Sequence, residues 1–361
     1  MNTSGSSVGS MAWRRFRRNP LSVAALAVTG IFVVVAILGY LITPDSTPHC
    51  NQQYLELATL KPMSKAQFTY IDEGQPVQHH GWLHKMLFGE PLPYTAIPTY
   101  AVTAVGDSLD IEAYTGSTPN DGAVRRVARS QVVGQETRTF VLGTDGYGRD
   151  VLSMIMIGSR VSLSVGFIAL VIALLIGVTL GALAAYYGGW VDSAITWLIN
   201  VVWAIPTVLL VIAITFALGK GFWQVFVAVG LTMWVDIARV VRGQVFSVKE
   251  KEYVEAARAL GYSTPRIILR HILPNITGAV IVVTASNFAS AILLEAGLSF
   301  LGIGVQPPMP SWGTMVKENY SYILLDSAYL ALLPGLAIML IVLAFMLLGN
   351  GVRDALDVKG Q

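Results

Sequence analysis

The chain alternates long apolar runs with polar stretches, and the apolar runs are long enough to be counted. A bilayer core of about 30 Å needs roughly 20 apolar residues of helix. Six stretches read as spans: 21–43, 161–187, 194–218, 222–235, 276–294 and 328–349. The first carries no charge and follows Asn19-Pro20, an N-cap residue with proline at the first helical position. It is longer than the apolar part of a secretory signal and lacks a small-x-small cleavage pattern, so it reads as a retained anchor. Pro206 predicts a kink in the third span, and Pro334 lies inside the sixth. The fourth is short and has to borrow residues 237–241, across Asp236 and Arg239, to cross fully.

Charge then orients the spans. Arg14, Arg15, Arg17 and Arg18 precede the first and keep the amino end in the cytoplasm, and six crossings return the carboxyl end to that side. The stretch 239–275 is then cytoplasmic, and it holds Arg239, Arg242, Lys249, Lys251, Arg258, Arg266 and Arg270. The short outer loops hold Lys220 and Lys317, while Arg353 and Lys359 fall inside. The composition, 54% hydrophobic and 13% charged over 361 residues, is wrong for a soluble domain and right for a polytopic membrane protein. A net charge of +2 points to no nucleic-acid partner, and the single cysteine, Cys50, forms no internal disulfide.

The chain divides into a basic cytoplasmic segment (1–20), an anchor helix (21–43), an extracytoplasmic insertion (44–142), a transmembrane domain (143–350) and a cytoplasmic tail (351–361). The insertion is too long for a simple connection and includes alternating stretches such as "YAVTAV", which suggest a small subdomain of α+β or irregular character. His79, His80 and His84 sit there without cysteine or acidic partners at ligand spacing, so no metal site is expected. In the glycine-rich stretch 142–166, Gly143, Gly146 and Gly148 allow tight turns and Asp150 is placed to cap a helix. It does not have the Walker pattern GxxxxGK[ST], and neither does any other part of the chain.

The basic stretch "EYVEAARALGYSTPRIILRHILPN" is rich in helix formers up to Leu260. Val254, Ala257 and Leu260 share a face by spacing, and Gly261 supplies a left-handed residue to end the helix. Ser263 or Thr264 caps a second helix with Pro265 near its start, and Pro274 is expected to stop it where the fifth span begins. By pattern the element is either a docking handle for a cytoplasmic partner or an interfacial helix drawn to anionic lipid.

Glu255-Ala256-Ala257, three residues, Gly261, then Leu273-Pro274 resembles the EAA loop, EAA-x3-G-x9-I-x-L-P, of binding-protein-dependent ABC importer permeases. His271 stands where that pattern has isoleucine. "LGTDGYGRD", "GSRVSLSVG", "YYGGWVD", "EAGLSFLGIGVQPPMPSWGTMV" and "GNGVRDALD" look like the C-type subunit of dipeptide, oligopeptide and nickel permeases. The resemblance implies an all-α polytopic fold of about six spans, the ABC type I importer permease fold, in a bacterial inner membrane. It also implies a second, homologous permease subunit, two ATPase subunits that hold the ATP and magnesium, and an extracytoplasmic solute-binding protein. On that reading Glu255, Ala256, Ala257, Leu260, Gly261, Leu273 and Pro274 couple the permease to an ATPase, and the chain itself is no enzyme and holds no cofactor. Peptides are the expected substrate, with nickel or another small solute the alternative. A secondary transporter is the rival mechanism, but neither inverted repeats with broken helices nor paired intramembrane acids are evident. Glu295, at the expected end of a span, is a candidate for the translocation path or its gate, and residues 297–321 read as a re-entrant or capping element or a structured connector.

Overall fold

The computed structural model describes residues 8–74, 81–116, 118, 120–219 and 221–356, so His79, His80, Lys220 and Lys359 lie outside the described residues. Two helices open the chain, α1 (Val8–Phe16) and α2 (Pro20–Leu38). A stretch with β1 (Ser64–Ile71), α3 (Trp82–Phe88), β2 (Thr95–Val105), β3 (Ser108–Ala113), β4 (Val124–Ala128) and β5 (Val132–Phe140) follows. The remainder is helical: α4 (Val151–Tyr187), α5 (Gly189–Ala204), α6 (Thr207–Leu218), α7 (Phe222–Val248), α8 (Glu252–Ala259), α9 (Thr264–Ile267), α10 (Leu273–Phe300), α11 (Trp312–Asn319) and α12 (Tyr329–Leu356). Among the described residues five stretches are long and apolar enough to cross a bilayer, and the pair α5–α6 makes a sixth if its two arms, bent by 94°, count as one span.

Two expectations about these helices need correction, and a third is extended. The third span is a broken helix rather than a kinked one. Proline drives the residue before it out of helical geometry, and Ile205 is extended (φ −90°, ψ 129°) ahead of Pro206. The fourth span does continue across Asp236 and Arg239, and α7 runs beyond residue 241 to Val248. Its inner charges are accommodated by partners: Arg242 grips Asp192 with two bonds of 2.6 and 2.7 Å, and Lys249 donates to the Ala185 carbonyl at 2.8 Å. Pro274, finally, does not stop a helix. A π turn at Ile268–Ile272 joins α9 to α10, with the Leu273 amide reaching the Ile268 carbonyl. The wider turn makes room for a residue that lacks an N–H and would collide with a carbonyl one turn back. Thr264–Phe300 is therefore one continuous apolar helix.

The chain forms two compact units, one of Met1–Phe32, Ser162–Gln306 and Leu336–Gln361, the other of Val33–Val161 and Pro307–Gly335. The first is a helical bundle that packs through small residues. A Cβ on Gly177 of α4 would lie 2.7 Å from the Trp234 carbonyl of α7, and one on Gly230 of α7 would lie 2.7 Å from Ile172 of α4. Gly181 faces Ala238 and Val241 in the same way, so glycines on both helices bring two backbones into contact. On α10, Phe288 stacks on Phe345 of α12 at 3.9 Å and fills the space that Gly166 of α4 leaves open. Asn19 caps α2 as its sequence suggests, accepting from the Leu21 amide at 3.0 Å.

The second unit is built around a five-stranded antiparallel sheet in the order β4-β3-β2-β1-β5, with Phe68 of β1 opposite Pro98 of β2 and Glu136 of β5. Leu57, Phe68 and Phe140 form a core on one face, and Ile71, Ile111 and Val127 form one on the other. "YAVTAV" lies in β2. The glycine-rich motif after the sheet is a polar lock. Gly143 and Gly148 take positive φ (78° and 75°), and Asp145 accepts from the Tyr147 and Arg149 amides, each at 2.9 Å. Arg149 is buried and bridges Asp145 and Glu318, each at 2.6 Å. Asp150 caps α4 by accepting from the Ser153 amide at 2.8 Å. The Arg160 guanidinium donates to the carbonyls of Ala36, Ile37, Met86 and Leu87 and so holds the carbonyl ends of α2 and α3. Cys50 is fully buried, its thiol against the Asp45 carbonyl at 3.1 Å.

Two predictions follow from this packing. Gly177→Ala destabilises the purified chain by about 1–3 kcal/mol, because the added methyl meets backbone that cannot retreat. Gly243→Ala on α7, where a Cβ meets open space, leaves the thermal midpoint in detergent unchanged or slightly raised. The second concerns pH. Burial raises the carboxyl pKa of both Asp45 and Asp150, so in the window above the ordinary carboxylate range the folded chain holds more protons than the unfolded one. Stability contributed by these groups therefore falls as pH rises through that window, and hydrogen-exchange protection of β1 is greater at mildly acid pH than at neutral pH. The Asp45→Asn, Asp150→Asn double variant flattens the profile.

Candidate functional site

The stretch from Glu252 to Pro274 is where sequence and geometry converge. Lys251 leaves α7 in extended geometry (φ −80°, ψ 145°), and α8 follows with Glu252 and Glu255 in its first turn, favourable at the positive end of the helix dipole. The helix ends in a Schellman motif: the Tyr262 amide reaches the Ala257 carbonyl at 3.2 Å and the Gly261 amide reaches that of Arg258 at 2.9 Å. Gly261 sits at φ +75° with open space around it, so the backbone rather than crowding demands glycine there.

Val254 and Ala257 are buried and seat α8, whereas Glu255, Ala256 and Gly261 are exposed. Leu260 does not share their buried face. It is the C-cap residue and is 71% exposed, a large apolar side chain projecting beside the turn. The Glu255 side chain makes no hydrogen bond or ion pair among the described residues, so its carboxylate does not brace the loop within this chain. Leu273 is half-buried and Pro274 exposed at the start of α10, and both belong to the stem rather than to the tip.

The basic residues hold the stem. Lys249 binds the last carbonyls of α4, Arg242 pairs with Asp192, Arg258 lies over Tyr186 at 5.1 Å and Arg266 over Tyr262 at 4.3 Å. His271 stacks on Tyr262 with ring centroids 5.7 Å apart, tying the turn after α8 to the π turn, and its buried Nε2 has no hydrogen-bond partner among the described residues. The position where the EAA pattern has isoleucine is thus a ring-stacking position.

Glu295 lies elsewhere, about 30 Å along α10 from Leu273 by helical rise. It is fully buried, accepting from Ser162 at 3.1 Å and from Ser299 at 2.7 Å, and Ser299 in turn accepts from the Val305 amide at 3.2 Å. Its carboxylate pins the turn after α10 onto α4. The stretch beyond that turn contains α11, whose start carries a capping box of Ser311 and Thr314.

Residues 177–359 match the binding-protein-dependent transport system inner membrane component, and residues 7–62 match the N-terminal TM domain of oligopeptide transport permease C. The chain belongs to the binding-protein-dependent transport system inner membrane component family. It is 44% identical over 218 residues to the glutathione transport system permease protein GsiD of Pectobacterium atrosepticum, covering 60% of this chain and 72% of that one. It is 43% identical over 217 residues to the dipeptide transport system permease protein DppC of Alkalihalophilus pseudofirmus, over 60% of this chain and 71% of that one. The DppC of Bacillus subtilis is likewise 43% identical, with 60% and 68% covered. A solved structure of the MetNI methionine ABC transporter in inward-facing conformations matches at 17% identity and a TM-score of 0.47, over 56% of this chain and 96% of that chain. Residues 63–176, which include the whole sheet, fall outside both family matches.

The spacing that groups Val254, Ala257 and Leu260 fails at its last member because a residue directly before a C′ glycine is leaving the helix. That glycine was the available signal. The cation–π pairs and the grip of Lys249 on Ala185 join residues distant in sequence and leave no local pattern. As a structural prediction, Tyr262→Ala removes the ring beneath Arg266 and beside His271 and costs about 1–3 kcal/mol. Hydrogen exchange localises the loss to α8 and the π turn.

Proposed function

We infer that this protein is the C-type permease subunit of an ATP-driven importer for di- or oligopeptides, and that α8 is where an ATPase subunit takes hold. The observation that carries the coupling role is the exposed tip: Leu260 projects 71% exposed beside the Gly261 turn, with Ala256 and Glu255 exposed along the same short helix. A large apolar side chain flanked by small residues and a free carboxylate is suited to a cleft on a protein partner, with the leucine as anchor. A lipid-facing helix instead places its basic residues toward the headgroups. Here Arg242, Lys249, Arg258 and Arg266 are engaged with the chain itself.

Peptide is the substrate class because the matching relatives are dipeptide and glutathione permeases and because the amino-terminal match is to an oligopeptide permease domain. In this reading the importer comprises this chain, a homologous second permease, two ATPase subunits and an extracytoplasmic binding protein that delivers the peptide. It sits in the bacterial inner membrane with both ends of this chain in the cytoplasm and the sheet unit outside. ATPase closure moves α8, the stem of basic contacts transmits that motion into α4, α5 and α7, and the passage alternates between outward and inward access.

The reading makes a paired prediction. Leu260→Asp lowers co-purification of the ATPase from detergent extracts about tenfold or more, as loss of a buried apolar anchor at an interface does. Gly261→Val leaves the ATPase bound more weakly and uncouples its hydrolysis from uptake, because a β-branched residue at φ +75° is strained and displaces the tip. Full ATPase retention by Leu260→Asp, with normal uptake, contradicts the coupling role.

A further inference from the structure

In the helical unit a cavity of ≈ 390 Å³ opens where the α5–α6 pair breaks, lined by Trp203, Thr207, Thr232, Asp236, Ser290 and Leu294 among others. Trp203 and Thr207 stand on either side of the break at Ile205-Pro206, so the carbonyl end of α5 borders the space. That end of a helix carries partial negative charge. Asp236 adds a full one. It lies near the middle of α7, is exposed, and makes no hydrogen bond or ion pair among the described residues. The cation nearest in sequence on the same helix, Arg239, is engaged otherwise: its guanidinium lies 3.7 Å over the Trp203 ring and reaches Asn200 at 3.4 Å. An unpaired carboxylate in a membrane helix is costly, and such residues mark pathways and have partners.

We propose that Asp236 is a specificity-determining residue of the passage and receives the primary ammonium of the transported solute. The proposal rests on the peptide reading above, since a peptide's amino terminus is such a group. A peptide entering the passage loses water from its charged ends, and its ammonium, like its carboxylate, is costly to strip without a counter-charge. The carbonyl end of α5 and the amino end of α6 meet at the break with opposing partial charges, so the full charge of Asp236 sets the sign of the pocket, and Thr207 and Ser290 add hydroxyl groups to its lining. The face of Trp203 on the cavity rim is already occupied by Arg239, which leaves Asp236 free to serve the solute.

The test uses the whole importer, with both permeases, ATPases and binding protein, in proteoliposomes taking up a dipeptide with a free amino terminus. Asp236→Asn lowers uptake about thirtyfold, the low end of the range for removing one partner of a desolvated charge pair. Asp236→Glu keeps most of it. Asp236→Cys is as slow as the asparagine variant and recovers after reaction with a negatively charged thiosulfonate but not with a neutral one of similar size. The native Cys50 is fully buried and does not compete for the reagent. Unchanged uptake by Asp236→Asn, or equal recovery with the neutral reagent, overturns the assignment while leaving the peptide reading intact. Loss of the second permease from the Asp236→Asn complex also overturns it, by making the carboxylate an inter-subunit partner. If the unaltered importer takes up no peptide, the peptide reading itself fails.

Discussion

Apolar side chains gain nothing by leaving lipid for another helix, so a membrane bundle is held by close approach rather than by the hydrophobic effect. Here the approach is made by the glycines between α4 and α7. With Gly177, Gly181 and Gly230 on the seam, the two backbones touch, and α7 is fixed along much of its length. Everything at the inner end of α7 inherits that rigidity. Lys249 and Arg242 reach from it to α4 and α5, and α8 springs from it, so the tip carrying Leu260 is a rigid projection rather than a loose loop.

The same bundle tolerates irregular backbone where other groups compensate. At Pro206 the chain breaks beside a cavity with hydroxyl and carboxylate linings, which is where unsatisfied backbone is acceptable at membrane depth. At Pro274 it widens into a π turn, and Asn275 donates to the His271 carbonyl at 2.7 Å beside it. Glu295, buried against Ser162 and Ser299, shows the complementary device, a carboxylate used to fix a turn.

Local chemistry was legible in the sequence, and distant compensation was not. The Asn19 cap, the Asp150 cap, the Gly261 turn and the Gly143 and Gly148 turns each follow from one or two residues whose backbone preferences decide the outcome. The run of α7 past residue 241 to Val248 had no apolar signal, and only the third dimension reveals that Trp203 shelters Arg239. Pro274 read as a stop because the π turn that rescues it depends on no distinctive sequence. The EAA spacing singled out the stretch around α8, but it could not say that position 271 stacks on Tyr262 or that Leu260 faces outward. The strand register of the sheet, which pairs β1 with β5 across a long interval, had no sequence signature beyond the alternation in β2.

The proposed role of α8 as an ATPase seat is tested most directly by solvent access to its tip. A single thiol introduced by Leu260→Cys, with Cys50 buried and silent, is labelled by a membrane-impermeant maleimide in inside-out vesicles with and without the ATPase subunits. The account predicts rapid labelling of the permease alone and protection of about tenfold or more once the ATPase binds, as expected for a residue at the centre of an interface. Labelling that is slow without the ATPase, or equally fast with it, would place Leu260 against lipid or in open water and contradict the account.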